Sequence, residues 1–178
     1  MPDAGVRAVT DRVRALTAAH PAPVVLVDGR SGAGKTALAR AVAARTGIAV
    51  LPLESVYPGW QGLEAASRML RDDVLVPRAT GRAARIRSWD WRRGASGPWL
   101  EVPPGPLLVE GVGALTAANR RLAHLGVWVE LDAPERRRRA LARDGATYEL
   151  EWCGWAEQEH RFGSRERPRT LADLEVAG

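Results

Sequence analysis

A glycine-rich segment between an apolar run and an alanine-rich run constrains this chain more than any other feature. Residues 24–28 read V-V-L-V-D, residues 29–36 read G-R-S-G-A-G-K-T, and residues 37–43 are rich in alanine. This order predicts a buried strand, a turn and a helix around the pattern G-x-x-x-x-G-K-T. Glycines permit a turn whose consecutive backbone N–H groups point inward, so the turn is predicted to bind phosphate.

The residues of this turn have separate predicted parts in binding a nucleoside triphosphate. Lys35, the only lysine of the chain, has the charge and reach to contact the β- and γ-phosphates. The Thr36 hydroxyl is placed to ligate Mg²⁺, and the following helix adds the positive end of its dipole. The complete predicted phosphate-binding set is Gly29, Arg30, Ser31, Gly32, Ala33, Gly34, Lys35 and Thr36.

Length and composition favour one globular domain that spans residues 1–178. The chain is 46% hydrophobic, which is enough for one core, and it is too short to divide comfortably into two domains. Its net charge of +5 permits nucleic-acid binding, but the arginines are scattered over several segments. An anionic substrate explains that charge equally well, so nucleic-acid binding is the weaker interpretation.

Two further features bear on where the protein is expected to work. Cys153 is the only cysteine, which excludes an internal disulfide and fits a reducing cytoplasm. No apolar stretch reaches the length that a membrane span needs. We therefore expect a cytoplasmic protein with no membrane partner.

Strand-like and helix-like patterns alternate along the rest of the chain. This alternation predicts an α/β fold of three layers, with a parallel sheet covered by helices on both faces. Together with the glycine-rich pattern at 29–36, it indicates a P-loop NTPase fold. A turn-rich segment at 85–102 predicts an inserted β-hairpin near the substrate side, and Pro77 is expected to stop the preceding helix. The predicted helices are 3–19, 37–46, 62–76, 116–124, 134–144 and 148–162, and the predicted strands are 24–28, 48–53, 106–111, 127–131 and 171–176.

Two carboxylates follow predicted strands and are therefore candidates for the site. Glu54 comes directly after the second strand, and Glu110 ends the apolar run 106–111, a pattern typical of a Walker B strand. Ligands of open α/β sheets lie beyond the carboxyl ends of the strands, so both side chains are expected to face the same crevice as the phosphate loop. Glu110 is expected to orient the water shell of Mg²⁺. Thr36 and Glu110 are therefore the two predicted metal-binding residues.

These features together resemble the uridine kinase and phosphoribulokinase group of P-loop kinases. The resemblance implies an ATP-dependent enzyme that uses Mg²⁺ and transfers the γ-phosphate to a hydroxyl of a nucleoside-like or other metabolite acceptor. It extends from Val24 over most of the remaining chain. The blocks that carry it are 28–36, Glu54-Ser55-Val56-Tyr57, Trp89-Asp90-Trp91, Val109-Glu110-Gly111 and Asp132 to Asp144.

The resemblance assigns roles on the acceptor side. Glu54 occupies the place of an aspartate that deprotonates the acceptor hydroxyl, and the family's aromatic residue at position 56 is a valine here. An aromatic substrate wall is implied, although such residues also serve as ordinary packing. Asp90 is expected to bind acceptor hydroxyls or to pair with Arg92 or Arg93. The predicted substrate residues are Tyr57, Trp89, Asp90 and Trp91.

A basic lid over residues 134–165 is the last feature that the resemblance implies. Arginines of such a lid close over the triphosphate, balance its charge and exclude water. Arg136, Arg139 and Arg143 share roughly one helical face, and Arg139 and Arg143 are the predicted catalytic arginines beside Lys35 and Glu54. The family's Asp-His-Pro block is absent, so a uridine-like acceptor does not follow; nucleosides, nucleotides, sugars and specialised metabolites all stay compatible.

A second function class fits the phosphate loop as well. In this alternative the protein is a nucleotide-binding NTPase that acts as a switch for a partner, with water as the phosphate acceptor. Such switches usually carry an Asn-Lys-x-Asp block, which a chain with one lysine at position 35 cannot supply. The small-molecule kinase is therefore the favoured interpretation.

Overall fold

The computed structural model describes residues 3–178, except for the side chains of residues 143–150. Its strands are β1 (Val24–Asp28), β2 (Ala49–Pro52), β3 (Ala84–Asp90), β4 (Ala95–Val102), β5 (Leu107–Glu110), β6 (Leu125–Glu130) and β7 (Leu174–Ala177). Five of them form a parallel sheet in the order β2-β5-β1-β6-β7, and β3 pairs with β4 in an antiparallel hairpin. The predicted parallel sheet and hairpin are confirmed.

Helices cover both faces of the five-stranded sheet. They are α1 (Asp3–Ala19), α2 (Lys35–Thr46), α3 (Leu63–Met69), α4 (Val76–Ala79), α5 (Ala117–Arg120) and α6 (Ala133–Glu166). A π-helical stretch, Leu70–Leu75, joins α3 to α4, and short 3₁₀ turns cover Leu53–Ser55 and Pro168–Leu171. The three-layer α/β architecture expected from the alternating pattern is therefore present.

Strand β1 shows why apolar and polar residues do not alternate in the run before the glycines. Val25 and Val27 pack into one core with α1 and α2, whereas Val24 and Leu26 pack into the other core with α3 and α6. A central parallel strand is buried on both of its faces, so the four positions of Val24 to Val27 all need apolar side chains.

The strand register brings the candidate residues to one edge of the sheet. Glu110 at the end of β5 aligns with Val27 of β1 on one side and with Pro52 of β2 on the other. The loop after β1, the turn after β2 and the Glu110 carboxylate therefore meet at the carboxyl edge, as the strand pattern predicted.

Helix α6 approaches the phosphate loop twice. A straight helix of its 34 residues would extend over about 51 Å. Arg136 near its start and Glu159 near its end nevertheless contact the backbone of one residue, Ser31. The two described halves, 133–142 and 151–166, therefore lie against the same loop, and α6 is not one straight rod.

Several predicted boundaries differ from the structure, and the two helices predicted over 134–144 and 148–162 form one helix, α6. Pro77 does not stop the helix at Val76; it lies in the first turn of α4, which follows the π-helical stretch directly and continues to Ala79. The helix predicted over 116–124 covers only Ala117–Arg120. The last strand begins at Leu174 because a 3₁₀ turn occupies Pro168–Leu171.

Candidate active site

The glycine-rich loop adopts a backbone conformation that favours glycine, most clearly at Gly32 and Gly34. Gly32 and Gly34 have φ values of 80° and 101°, in the left-handed region that side chains disfavour. A Cβ on Gly32 would also lie 2.1 Å from the carbonyl oxygen of Arg136. Helix α2 begins at Lys35, directly after Gly34. The loop thus leads into the amino end of a helix, the arrangement that favours an anion.

Lys35 lies across this loop. Its side chain is buried at 8% exposure, and its Nζ donates a hydrogen bond of 3.2 Å to the Arg30 carbonyl oxygen. The ammonium group is therefore held beside the loop backbone, on the chain segment that the sequence predicted to surround the phosphates.

The predicted metal residues contact each other. The Thr36 hydroxyl donates a hydrogen bond of 3.0 Å to Glu110 Oε1, and Glu110 is buried. Among the residues whose side chains are described, no cluster of three or more His, Cys, Asp and Glu side chains is placed to hold a metal by itself. One hydroxyl and one carboxylate still fit Mg²⁺, which usually binds one or two protein oxygens together with phosphate oxygens and water.

Asp28 ties the phosphate loop to the loop after β5. Its carboxylate accepts hydrogen bonds from the backbone N–H groups of Gly29, Gly113 and Leu115, at 2.6, 3.1 and 2.8 Å. Burial raises the pKa of Asp28 to about 6, while the backbone N–H of Leu115 and the charge of Lys35 act in the opposite direction. The first residue of the phosphate loop is thus fixed by a buried carboxyl.

Glu54 lies in the short turn after β2 and is exposed. No hydrogen bond or ion pair joins its carboxylate to the side chains and backbone that the structure describes. Its carbonyl oxygen accepts a 2.9 Å hydrogen bond from the indole N–H of Trp91, at the tip of the β3–β4 hairpin. The hairpin tip is therefore attached to the turn that presents Glu54.

Aromatic rings connect this hairpin tip with the phosphate loop. Trp60 lies between Trp91 and Trp155, with ring centroids 5.0 and 6.4 Å away. Tyr57 packs edge-on against Trp155 at 5.1 Å. Trp155 in turn donates from its indole N–H to Ser31 Oγ at 2.9 Å.

The predicted substrate residues occupy different environments. Tyr57 is buried in the core, and its hydroxyl donates to the Val112 carbonyl oxygen at 2.9 Å, so its ring does not line an open surface. Trp89 is partly buried, whereas Trp91 is 38% exposed. Asp90 Oδ1 accepts from the backbone N–H groups of residues 92 and 93, which makes it a turn-stabilising residue in this structure.

The arginines of the predicted lid differ in what they contact. Arg136 is buried and donates to the carbonyl oxygens of Leu131 and Ser31, at 3.1 and 3.3 Å. Arg139 is half-buried and binds Glu135 at 2.7 Å, and hydrogen bonds from Arg138 and Arg139 lower the pKa of Glu135 to about 2. The side chain of Arg143 lies outside the described residues. The roles predicted for Arg139 and Arg143 stay predictions.

A buried carboxylate of α6 binds the phosphate loop itself. Glu159 Oε1 accepts from the Ser31 backbone N–H and from the Trp155 indole N–H, both at 2.8 Å. Its Oε2 accepts from Arg30 Nε at 3.2 Å. The Glu159 side chain is only 1% exposed, so this contact takes place away from solvent.

Comparison with solved structures identifies the type of fold. The chain matches a possible uridine kinase from Bacillus stearothermophilus with a TM-score of 0.63 and 15% identity, over 94% of this chain and 98% of that chain. The fold is P-loop kinase-like. No protein-family model and no curated protein sequence matches the chain.

Two further matches have the same P-loop kinase-like fold. A candidate fructose transport system kinase from Silicibacter sp. TM1040 has a TM-score of 0.57 and 15% identity, over 94% of this chain and 98% of that chain. Shikimate kinase from Acinetobacter baumannii, in complex with shikimate, has a TM-score of 0.51 and 19% identity, over 92% and 86%. At these identities the likeness concerns the fold.

Three residues of the candidate site were not assigned a role from sequence. Asp28 is a charged residue at the end of a buried strand, and this position could have predicted a buried carboxyl that accepts hydrogen bonds. Glu159 follows Trp155 by four residues, so a helix places both on one face. Arg136 was placed on the lid face, but its contact with Ser31 depends on how α6 packs.

Over residues 3–178, no helix combines the length and the apolar character of a membrane span.

Proposed function

We propose that this protein is an ATP-dependent kinase that transfers the γ-phosphate to a hydroxyl group of a small metabolite. The observation that carries the proposal is the pairing of Thr36 with Glu110 directly beneath a glycine loop that leads into α2. Hydroxyl and carboxylate oxygens beside backbone N–H donors are the chemistry that a metal-bound triphosphate requires.

In the proposed reaction the phosphate loop binds the triphosphate. The backbone N–H groups of residues 31–36 bind phosphate oxygens, and Lys35 balances charge on the β- and γ-phosphates. When bound at Thr36 and Glu110, Mg²⁺ supplies further charge neutralisation between these phosphates. The buried Asp28 keeps the start of the loop in place.

Glu54 is the proposed general base. Its exposed carboxylate is available to accept the proton of the acceptor hydroxyl as that oxygen attacks the γ-phosphorus. The bond between the γ-phosphorus and the β–γ bridging oxygen breaks, and ADP leaves with that oxygen. The register of β2 with β5 supports this assignment, because it places the Glu54 turn beside the strand that ends in Glu110.

The acceptor is proposed to bind between Glu54 and the tip of the hairpin. Trp91 offers a partly exposed ring there and hydrogen-bonds to the Glu54 backbone, so contact with the acceptor would also position the base. The solved neighbours include a possible uridine kinase and a shikimate kinase in complex with shikimate, which supports a small-molecule acceptor.

A product-based screen tests this proposal. The purified protein is incubated with ATP and Mg²⁺ and with nucleosides, nucleoside monophosphates, sugars or amino-alcohol metabolites, and the product masses are measured. A metabolite that gains one phosphate in the wild type, and not in Lys35→Ala, supports the kinase. Steady hydrolysis of ATP that no metabolite stimulates contradicts it and favours the partner-binding switch.

A further inference from the structure

We propose that Glu159 is an internal competitor for the triphosphate, so that α6 holds the phosphate loop in a self-inhibited state until nucleotide displaces it. This inference rests on the proposed function, because it concerns the regulation of the same site. Its basis is the buried contact of Glu159 with Ser31 and Arg30.

The groups that Glu159 occupies are anion-binding groups. Ser31 lies inside the loop whose N–H donors are expected to bind phosphate, and its N–H is already taken by Glu159 Oε1 at 2.8 Å. Arg30, the loop's guanidinium, is paired with Oε2 of the same carboxylate at 3.2 Å. A carboxylate that accepts hydrogen bonds from an N–H and a guanidinium makes the contacts that a phosphate oxygen would make.

Several contacts hold Glu159 in this position. The Trp155 indole N–H donates both to Glu159 Oε1 and to Ser31 Oγ, at 2.8 and 2.9 Å. Arg30 also donates to the Ala156 carbonyl oxygen at 3.4 Å. One turn of α6 therefore binds the loop through its backbone and through two side chains, so the carboxylate leaves only when this turn moves or its side chain changes rotamer.

A bound triphosphate would act against this state. It brings several negative charges next to a buried carboxylate, and like charges in a site shielded from water repel strongly. Nucleotide binding therefore has to release Glu159, and release frees both the Ser31 N–H and Arg30 for phosphate. The apparent affinity for nucleotide equals the intrinsic affinity multiplied by the fraction of molecules in which Glu159 has left the loop.

The structure offers Glu159 a place to go. Glu159 and Arg30 line a cavity of about 290 Å³ between α6 and β6. Arg167 lines the same cavity and carries the positive charge that a displaced carboxylate needs, whereas Arg169, which also lines it, is paired with Glu175 at 2.6 Å. A rotamer change toward this cavity would keep Glu159 paired while the loop opens to phosphate.

Equilibrium binding of a non-hydrolysable ATP analogue with Mg²⁺ tests the inference. Glu159→Gln keeps an oxygen acceptor for Ser31 but removes the charge, so it is expected to bind the analogue about fivefold or more tightly than wild type. Glu157→Gln is the matched control, because Glu157 lies on the same helix turn, is exposed and pairs with Arg161. It is expected to bind like wild type.

A second variant guards against a folding defect. Glu159→Asp keeps the charge but is one methylene too short to hold the same contact with Ser31, so it is also expected to bind more tightly. Thermal unfolding monitors whether each variant is folded. Wild-type or weaker affinity in the folded variants overturns the inference and makes Glu159 a residue that only supports the loop.

The outcomes separate this inference from the proposed function. If wild type binds the analogue, Lys35→Ala does not, and the Glu159 variants bind like wild type, the inference fails and the triphosphate site stands. If only the Glu159 variants bind, both stand. If neither wild type nor the Glu159 variants bind, both fail.

Discussion

The Thr36 hydroxyl donates a hydrogen bond of 3.0 Å to the Glu110 carboxylate and thereby joins the first turn of α2 to the end of β5. These residues are 74 positions apart in the chain. They meet because β5 pairs directly with β1, the strand that leads into the phosphate loop. This contact is the strongest reason to treat the loop as a site for a metal-bound nucleotide.

Glu110→Gln is expected to reduce the gain in ATP affinity that Mg²⁺ provides by about tenfold or more. The amide still accepts the Thr36 hydrogen bond but lacks the negative charge that favours the cation. ATP binding is measured with Mg²⁺ and with EDTA, and Glu64→Gln, an exposed acid on α3, is the control. An unchanged response to Mg²⁺ contradicts the assignment.

Lys35→Ala is expected to weaken ATP binding by about tenfold to hundredfold, because the triphosphate loses a charged hydrogen-bond donor. Arg40→Ala removes an exposed cation from the same helix and is expected to leave the affinity unchanged. Isothermal titration with ATP and Mg²⁺ measures both. Equal losses in the two variants would indicate that only the overall positive charge matters.

Glu54→Gln is expected to retain ATP binding and to lower the transfer rate by about 10²- to 10⁴-fold, because the acceptor proton loses its base. The rate of product formation with the acceptor found in the screen is the measurement. Glu101→Gln, an exposed acid on β4, is the control. Full transfer activity in Glu54→Gln shows that this carboxylate is not the base.

Trp91→Ala is expected to raise the KM for the acceptor by about threefold to tenfold and to leave the KM for ATP unchanged, because a stacking surface is lost. Trp99→Ala is the matched control: Trp99 lies on the same hairpin, is 44% exposed and stacks with Arg85 at 4.6 Å. If both variants change the acceptor KM equally, the hairpin acts through its stability.

Asp28→Asn is expected to change how stability depends on pH. Burial raises the pKa of Asp28 from its ordinary value of 3.8 to about 6, so the folded state holds this proton to higher pH than the unfolded chain does. The protonated Asp28 carboxyl therefore stabilises the folded state fully below pH 3.8. This stabilisation, about 3 kcal/mol in the free energy of unfolding, is lost as the pH rises through about 6.

The slope of this dependence is the measurement for Asp28. The asparagine variant loses hydrogen bonds with backbone N–H groups at every pH, so its absolute stability is lower throughout. Urea unfolding over this interval is expected to show a difference between wild type and variant that shrinks as the pH rises. A constant difference would show that the carboxyl does not titrate there.

Local patterns in the sequence were sufficient for the parts of the site that depend on neighbouring residues. The glycine loop and the helix that starts at Lys35 follow from one continuous stretch, and the apolar run before Glu110 predicts a buried strand. The alternation of strands and helices then predicts the layered sheet. Each of these inferences uses the spacing of residues within one segment.

Only the tertiary structure decided which distant side chains meet the loop. Tyr57, predicted to face the substrate, is buried where Trp155 packs against it, and Pro77 lies in a helical segment that continues from a π-helical stretch. Arg136 and Glu159 both reach Ser31 because α6 lies against the loop with both of its described halves. Residue spacing determines which side chains share one face of a helix. Which element that face contacts depends on how the layers pack.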